Sequence, residues 1–263
     1  MTNNPLEGLD MKATLEWYAQ LDVPDILGQK REFSHLIENP ELIELSPDQL
    51  GGLYDLFPQE ALDRSILQKV IGVPETWFSN ESTQEKPLTT TNPDEALTDT
   101  SFVPSYIDYS SWQKTGVPGA DIWLYKIPET AADINVRRIV LTEGFLHELG
   151  HSVVQPALYG GDNYNLKFPD GRIVNGREAM IEFAELSEKH PAISHYASTY
   201  RSPTGKFEGP AALTAISEEM CETVAAYFLG FAYCSDETRA LNPFADRPEV
   251  KDFVENFLNA RRD

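Results

Sequence analysis

Two histidines bracket a glutamate in FLHELGHSVVQ: His147, Glu148 and His151. Residues four apart on an α-helix project from one face, a turn apart. His147 and His151 can therefore offer two imidazoles to one zinc ion. Glu148, beside the first imidazole, is placed to take a proton from a water activated by that ion. The competing reading is an ordinary helix with two partly exposed histidines and a salt-bridging glutamate.

A catalytic zinc ordinarily has three protein ligands and a water. No histidine lies six residues beyond His151, so the HExxHxxGxxH pattern is absent. Asp170 lies nineteen residues after His151, in a Pro-Asp-Gly turn rather than a helix. The remaining candidates are His190, His195 and the glutamates of two later segments. REAMIEFAEL carries Glu178, Glu182 and Glu185; ISEEMCETVAAYF carries Glu218, Glu219 and Glu222. Glu218 and Glu222 share a helix face, which allows one carboxylate on the metal and another accepting a ligand imidazole's ring N–H. Glu178 and Glu182 have the same spacing.

The motif needs a helix to carry it. DINVRRIVLTEGFLHELGHSVVQP reads as one long helix, capped by Asp133 or Asn135 and stopped by Pro156. ADIWLYKI before it alternates as a strand does, and SFVPSYIDYSSW is another, weaker strand candidate. Trp123 and Tyr125 could line a substrate groove on an edge strand, or pack in a core. Gly150 could admit another segment close to the metal, and Glu143 lies one turn before His147 on the same face. LKF and RIV form a hairpin across the Pro-Asp-Gly turn, and helices follow from about Asn175, over ISEEMCETVAAYFLGFAY and over VKDFVENFLNARR. Towards the N-terminus, MKATLEWYAQLDV, SPDQLGGLYDLF (with Ser46 as N-cap) and ALDRSILQKVIG all read as helical. NESTQEKPLTTTNPDEALTDT is polar and rich in Thr and Pro. The expected organisation is a small, mostly helical unit at 1–79, a polar linker or mobile loop at 80–100, and a catalytic domain at 101–263.

HELGH, then Tyr196 in SHYAS, then SEEMCETVAAYF resembles the anthrax-lethal-factor-like group of gluzincin metallopeptidases, which includes the Pro-Pro endopeptidases. The resemblance covers about half the chain, from roughly Leu124 onward. It implies an α+β zincin-like fold: a small twisted sheet, an active-site helix and a helical C-terminal part. It implies Glu218 as the third zinc ligand, Glu222 as the carboxylate that orients a ligand histidine, and Tyr196 as the donor to the oxyanion. The family's tyrosine lies close before its glutamate, whereas TYRSPTGKFEGPAALTA intervenes here, so Tyr200 competes with Tyr196. Glu219 and Glu182 remain rivals of Glu218.

The chain has 263 residues, 41% of them hydrophobic, enough for one large or two small cores. Its formal charge of −21 opposes phosphate backbones and anionic membranes. No apolar run is long enough to span a bilayer, and the first residues lack a signal-peptide pattern. Cys221 and Cys234 are too few for a disulfide framework and read as buried small hydrophobes. The expectation is a cytoplasmic enzyme with one catalytic Zn²⁺, acting on a peptide or protein and binding neither nucleic acid nor membrane. Glu148 serves as general base and Tyr196 assists at the oxyanion. The other readings are a binding or regulatory protein on the same fold, and a metallohydrolase of a non-peptide amide.

Overall fold

The computed structural model describes residues 33–74, 77–80, 83–87, 105–127, 129, 133–234 and 237–263. The helix expected over MKATLEWYAQLDV and most of the stretch 80–100 lie outside the described residues. In chain order, the first elements are β1 (Ile37–Glu38), α1 (Pro47–Tyr54), α2 (Gln59–Leu62), β2 (Leu67–Val73), β3 (Trp77–Asn80) and β4 (Thr83–Pro87). Then come β5 (Ser105–Asp108), α3 (Ser110–Thr115), β6 (Ala120–Tyr125) and the long α4 (Ile134–Tyr159). The remainder is β7 (Asn165–Lys167), β8 (Ile173–Asn175), α5 (Gly176–Ser187), α6 (His195–Tyr200), α7 (Ala212–Leu229), α8 (Glu237–Leu241), α9 (Pro248–Leu258) and β9 (Arg261–Arg262). The protein is thus mixed α+β, with small sheets. No described helix is long and apolar enough to cross a membrane.

The chain divides into two compact units. One comprises residues up to Leu56 together with Leu67–Glu148. Its sheet runs in the order β1-β2-β6-β5. β2 is parallel to both β1 and β6, and β5 closes the sheet antiparallel to β6. Val70, Ile107, Ile122 and Leu124 form a buried row along one face of that sheet. Leu141 and Phe145 of α4 are buried as well, and Phe145 meets Phe33 edge-on. β3 and β4 pair as a separate antiparallel ribbon.

Two sequence expectations fail in this unit. ALDRSILQKVIG is not a helix: only Gln59–Leu62 is helical, and Leu67–Val73 is a strand inside the sheet. Val70, Ile71 and Val73 are β-branched, and neighbours on both sides use the backbone groups a helix would have bonded internally. This strand precedes 80–100 and pairs with one that follows it, so residues from both flanks share a sheet. Trp123 and Tyr125 do not stand on an edge, because β6 is paired on both sides; β1 and β5 are the edges, and Tyr125 packs in the core. Ser46 does cap α1: Gln49 N–H donates to its Oγ at 3.2 Å, while Ser46 N–H donates to Gln49 Oε1 at 2.8 Å.

The other unit comprises Phe57–Ile66 and Leu149–Asp263. α5, α7 and α9 pack together, with Phe183, Val224, Val254 and Phe257 buried. β7 pairs antiparallel with β8 across the expected Pro-Asp-Gly turn, and with β9 on its other side. Asn175 caps α5 by accepting Arg177 N–H at 3.0 Å. Arg64 stacks on Phe257 and donates to its carbonyl at 2.7 Å, satisfying an acceptor at the end of α9. Cys221 and Cys234 are buried and form no disulfide.

Candidate metal centre

Asp133 starts the motif helix: its Oδ1 accepts the N–H groups of Asn135 at 2.8 Å and Val136 at 3.2 Å. Pro156 does not stop it, because α4 continues to Tyr159. Proline at this position removes the N–H that would bond Ser152 O. Ile66 N–H bonds that carbonyl instead, at 3.0 Å, and Ser65 Oγ meets Ser152 Oγ at 2.7 Å. The freed acceptor is therefore satisfied and the helix carries on past the proline.

His147, Glu148 and His151 occupy one turn of this continuous helix, and all three are buried. One ligand atom from each lies within 4.8 Å of the other two, so the three could hold a metal ion. Glu148 Oε1 accepts a hydrogen bond from Ser105 Oγ at 3.0 Å, tying the carboxylate to β5. Neighbouring residues of α7 face both ring nitrogens of His151. Nδ1 lies 3.1 Å from Ser217 Oγ, and Nε2 lies 3.5 Å from Glu218 Oε2. Two ligand atoms roughly 2.1 Å from a tetrahedral metal stand about 3.4 Å apart. The Nε2–Oε2 separation of 3.5 Å matches that edge and is longer than an ordinary N–H···O bond. Glu218 thus stands beside His151 at a ligand-to-ligand distance.

The rival carboxylates are engaged elsewhere. Glu219 is fully buried and takes Arg201 on both oxygens, Nη2 at 2.6 Å and Nε at 3.1 Å. It also accepts Ile193 N–H and Ser187 Oγ, each at 3.0 Å. Glu182 pairs with Arg172 on the surface at 2.9 Å, and Asp170 binds the same guanidinium at 3.0 Å. Both carboxylates hold that guanidinium more firmly charged, Glu182 the more strongly. His190 bonds Glu249 at 2.7 Å and holds its carboxyl below the usual carboxylate range. His195 packs edge-on against Tyr233.

Tyr196 and Tyr200, one turn apart on α6, are both half-buried, and their hydroxyls hydrogen-bond each other at 2.8 Å. α6 is capped by Ser194, which accepts Ala197 N–H at 3.0 Å, and it packs against α7. The stretch between Tyr200 and α7 sends Arg201 into the buried pair with Glu219 and lays Phe207 beneath that guanidinium. Gly150 sits against Cys221 of α7: a Cβ placed on it would lie 3.4 Å from Cys221 Cα. Glu222 is buried one turn beyond Glu218. Glu143 is half-buried, one turn before His147.

Sequence reasoning missed Ser105, Ser217 and Gln155. Ser105 had a legible signal, since alternation along SYID turns it to the same face as Ile107. Ser217 had only its position beside Glu218. No family model, no curated protein and no solved structure matches the chain.

Proposed function

We propose that the chain is a zinc-dependent metallopeptidase with a zincin-like active-site helix, and that His147, His151 and Glu218 hold the metal. The observation that carries this reading is the placement of Glu218 Oε2 3.5 Å from His151 Nε2, on the helix turn that bears the His147-Glu148-His151 cluster. Two imidazoles and a carboxylate are a donor set suited to zinc. When bound, zinc supplies Lewis acidity, acidifying a water and polarising the carbonyl to be attacked. Glu148 is the general base: its carboxylate accepts the proton of the attacking water and delivers it to the leaving nitrogen. Ser105 Oγ, donating to Glu148 Oε1, fixes that carboxylate's orientation. Tyr196 donates its hydroxyl to the oxyanion of the tetrahedral intermediate, with Tyr200 hydrogen-bonded behind it. Glu219 and Arg201 serve the fold rather than the metal.

The substrate is a peptide or protein, and the enzyme acts in the cytoplasm without binding nucleic acid or membrane. The test is metal analysis of purified protein together with a peptide-library digest, with and without a chelator. The expected result is close to one zinc per chain and chelator-sensitive cleavage. Protein that holds no zinc after exposure to it, and cleaves nothing, contradicts the reading.

A further inference from the structure

Ser217 is buried immediately before Glu218 on α7. Its Oγ lies 3.1 Å from His151 Nδ1 and 3.1 Å from Gln155 Nε2. Gln155 follows His151 by one turn of α4, so the imidazole and the amide reach the hydroxyl from one helix face. Successive helix residues project about 100° apart. Ser217 and Glu218 therefore reach the two edges of the same ring, Oγ toward Nδ1 and Oε2 toward Nε2.

The ring has two neutral tautomers. With the proton on Nε2, that N–H would face Glu218 Oε2 at 3.5 Å, too far for a good hydrogen bond. With the proton on Nδ1, the N–H donates to Ser217 Oγ at 3.1 Å and Nε2 carries the lone pair that a metal ligand needs. Gln155 Nε2 can only donate, so it occupies the second lone pair of Oγ and holds the hydroxyl in place. The distances favour the metal-binding tautomer.

We propose that Ser217, held by Gln155, is a positioning residue that fixes His151 in the Nδ1–H form and thereby raises the affinity of the site for a divalent metal. The inference rests on the metal-site reading above. The experiment is zinc affinity of the full chain, measured by competition with a chromophoric chelator. Metal-free thermal unfolding of each variant is followed alongside. Ser217→Ala weakens zinc binding by roughly 10- to 100-fold, the range expected on losing a partner behind a metal-ligating histidine. Ser217→Thr, which keeps the hydroxyl, stays within a few-fold of wild type. Gln155→Leu weakens binding in the same direction but less, with metal-free unfolding unchanged. Equal zinc affinity in wild type and Ser217→Ala overturns the inference while leaving the metal site standing. Wild-type chain that takes up no zinc overturns the site itself. Should the Ser217 variants not fold, Gln155→Leu decides: unchanged affinity there also overturns the inference.

Discussion

Arg201 holds both carboxylate oxygens of Glu219, with Nη2 at 2.6 Å and Nε at 3.1 Å, and neither side chain is exposed. This pair separates two adjacent glutamates into different roles. Glu219 is committed to a buried ion pair, while Glu218 turns toward His151. Removing one partner of a buried pair leaves the other charged and unmatched, at a cost of about 3–5 kcal/mol. Glu219→Gln and Arg201→Met are therefore expected to lower unfolding stability by about that amount, as read in urea, in metal-free protein. Glu218→Gln is expected to leave metal-free stability near wild type and to lose zinc. A large stability loss in the Glu218 variant with zinc retained would reverse the assignment.

Gly150 lies where α4 meets α7. A Cβ there would contact Cys221 Cα at 3.4 Å and Sγ at 3.5 Å, which is ordinary van der Waals distance. Gly150→Ala is expected to hold or raise stability, by up to about 1 kcal/mol from helix propensity. Gly150→Val adds carbons beyond that contact and is expected to lose about 1–3 kcal/mol. Thermal unfolding of the two variants checks the pair of signs.

The tyrosine pair can be split by kinetics. Tyr196→Phe removes the oxyanion donor and is expected to lower kcat by roughly 100-fold at little-changed KM. Tyr200→Phe removes the supporting hydroxyl and should lower kcat by less than about 10-fold, the scale of one hydrogen bond. Steady-state rates on the best peptide from the library digest measure both. The opposite ranking would make Tyr200 the donor.

Asp121 stands across from Asp108 in the sheet, and among the described residues its Oδ1 has no hydrogen-bond partner. Burial pushes its carboxyl above the usual range, Lys69 opposes this, and Asp108 and Glu38 add to it. The folded state thus holds this proton more tightly than the unfolded state. Its contribution to stability is fully present below the unfolded value and is lost as pH rises through the raised folded value. Asp121→Asn is expected to be more stable than wild type at pH 7 and to show a shallower decline of stability with rising pH in the carboxylate range. Urea unfolding from pH 3 to 7 on both proteins tests it.

Local signals were well legible in the chain. The motif helix, the strand before it, the Ser46 cap and the hairpin at Pro169-Asp170-Gly171 all follow from periodicity and turn chemistry. What was not legible depends on partners distant in sequence. The strand Leu67–Val73 looks helical until its two neighbours are known. Pro156 looks terminal until Ile66 is seen to bond the carbonyl it frees. Glu218 and Glu219 differ by one helix step, and Arg201, eighteen residues before Glu219, decides which of them faces His151. Ser217 beside His151 Nδ1 had no signal in the sequence beyond its place next to Glu218.

The central claim, hydrolysis with Glu148 as general base, is tested most directly by one comparison. Zinc-loaded wild type and Glu148→Gln are each incubated with a proteome-derived peptide library, and the new termini are counted. The account predicts defined cleavage sites for wild type and a loss of at least about 100-fold in the variant, within the range of general-base catalysis. Cleavage at the same sites and rates in both proteins would contradict it.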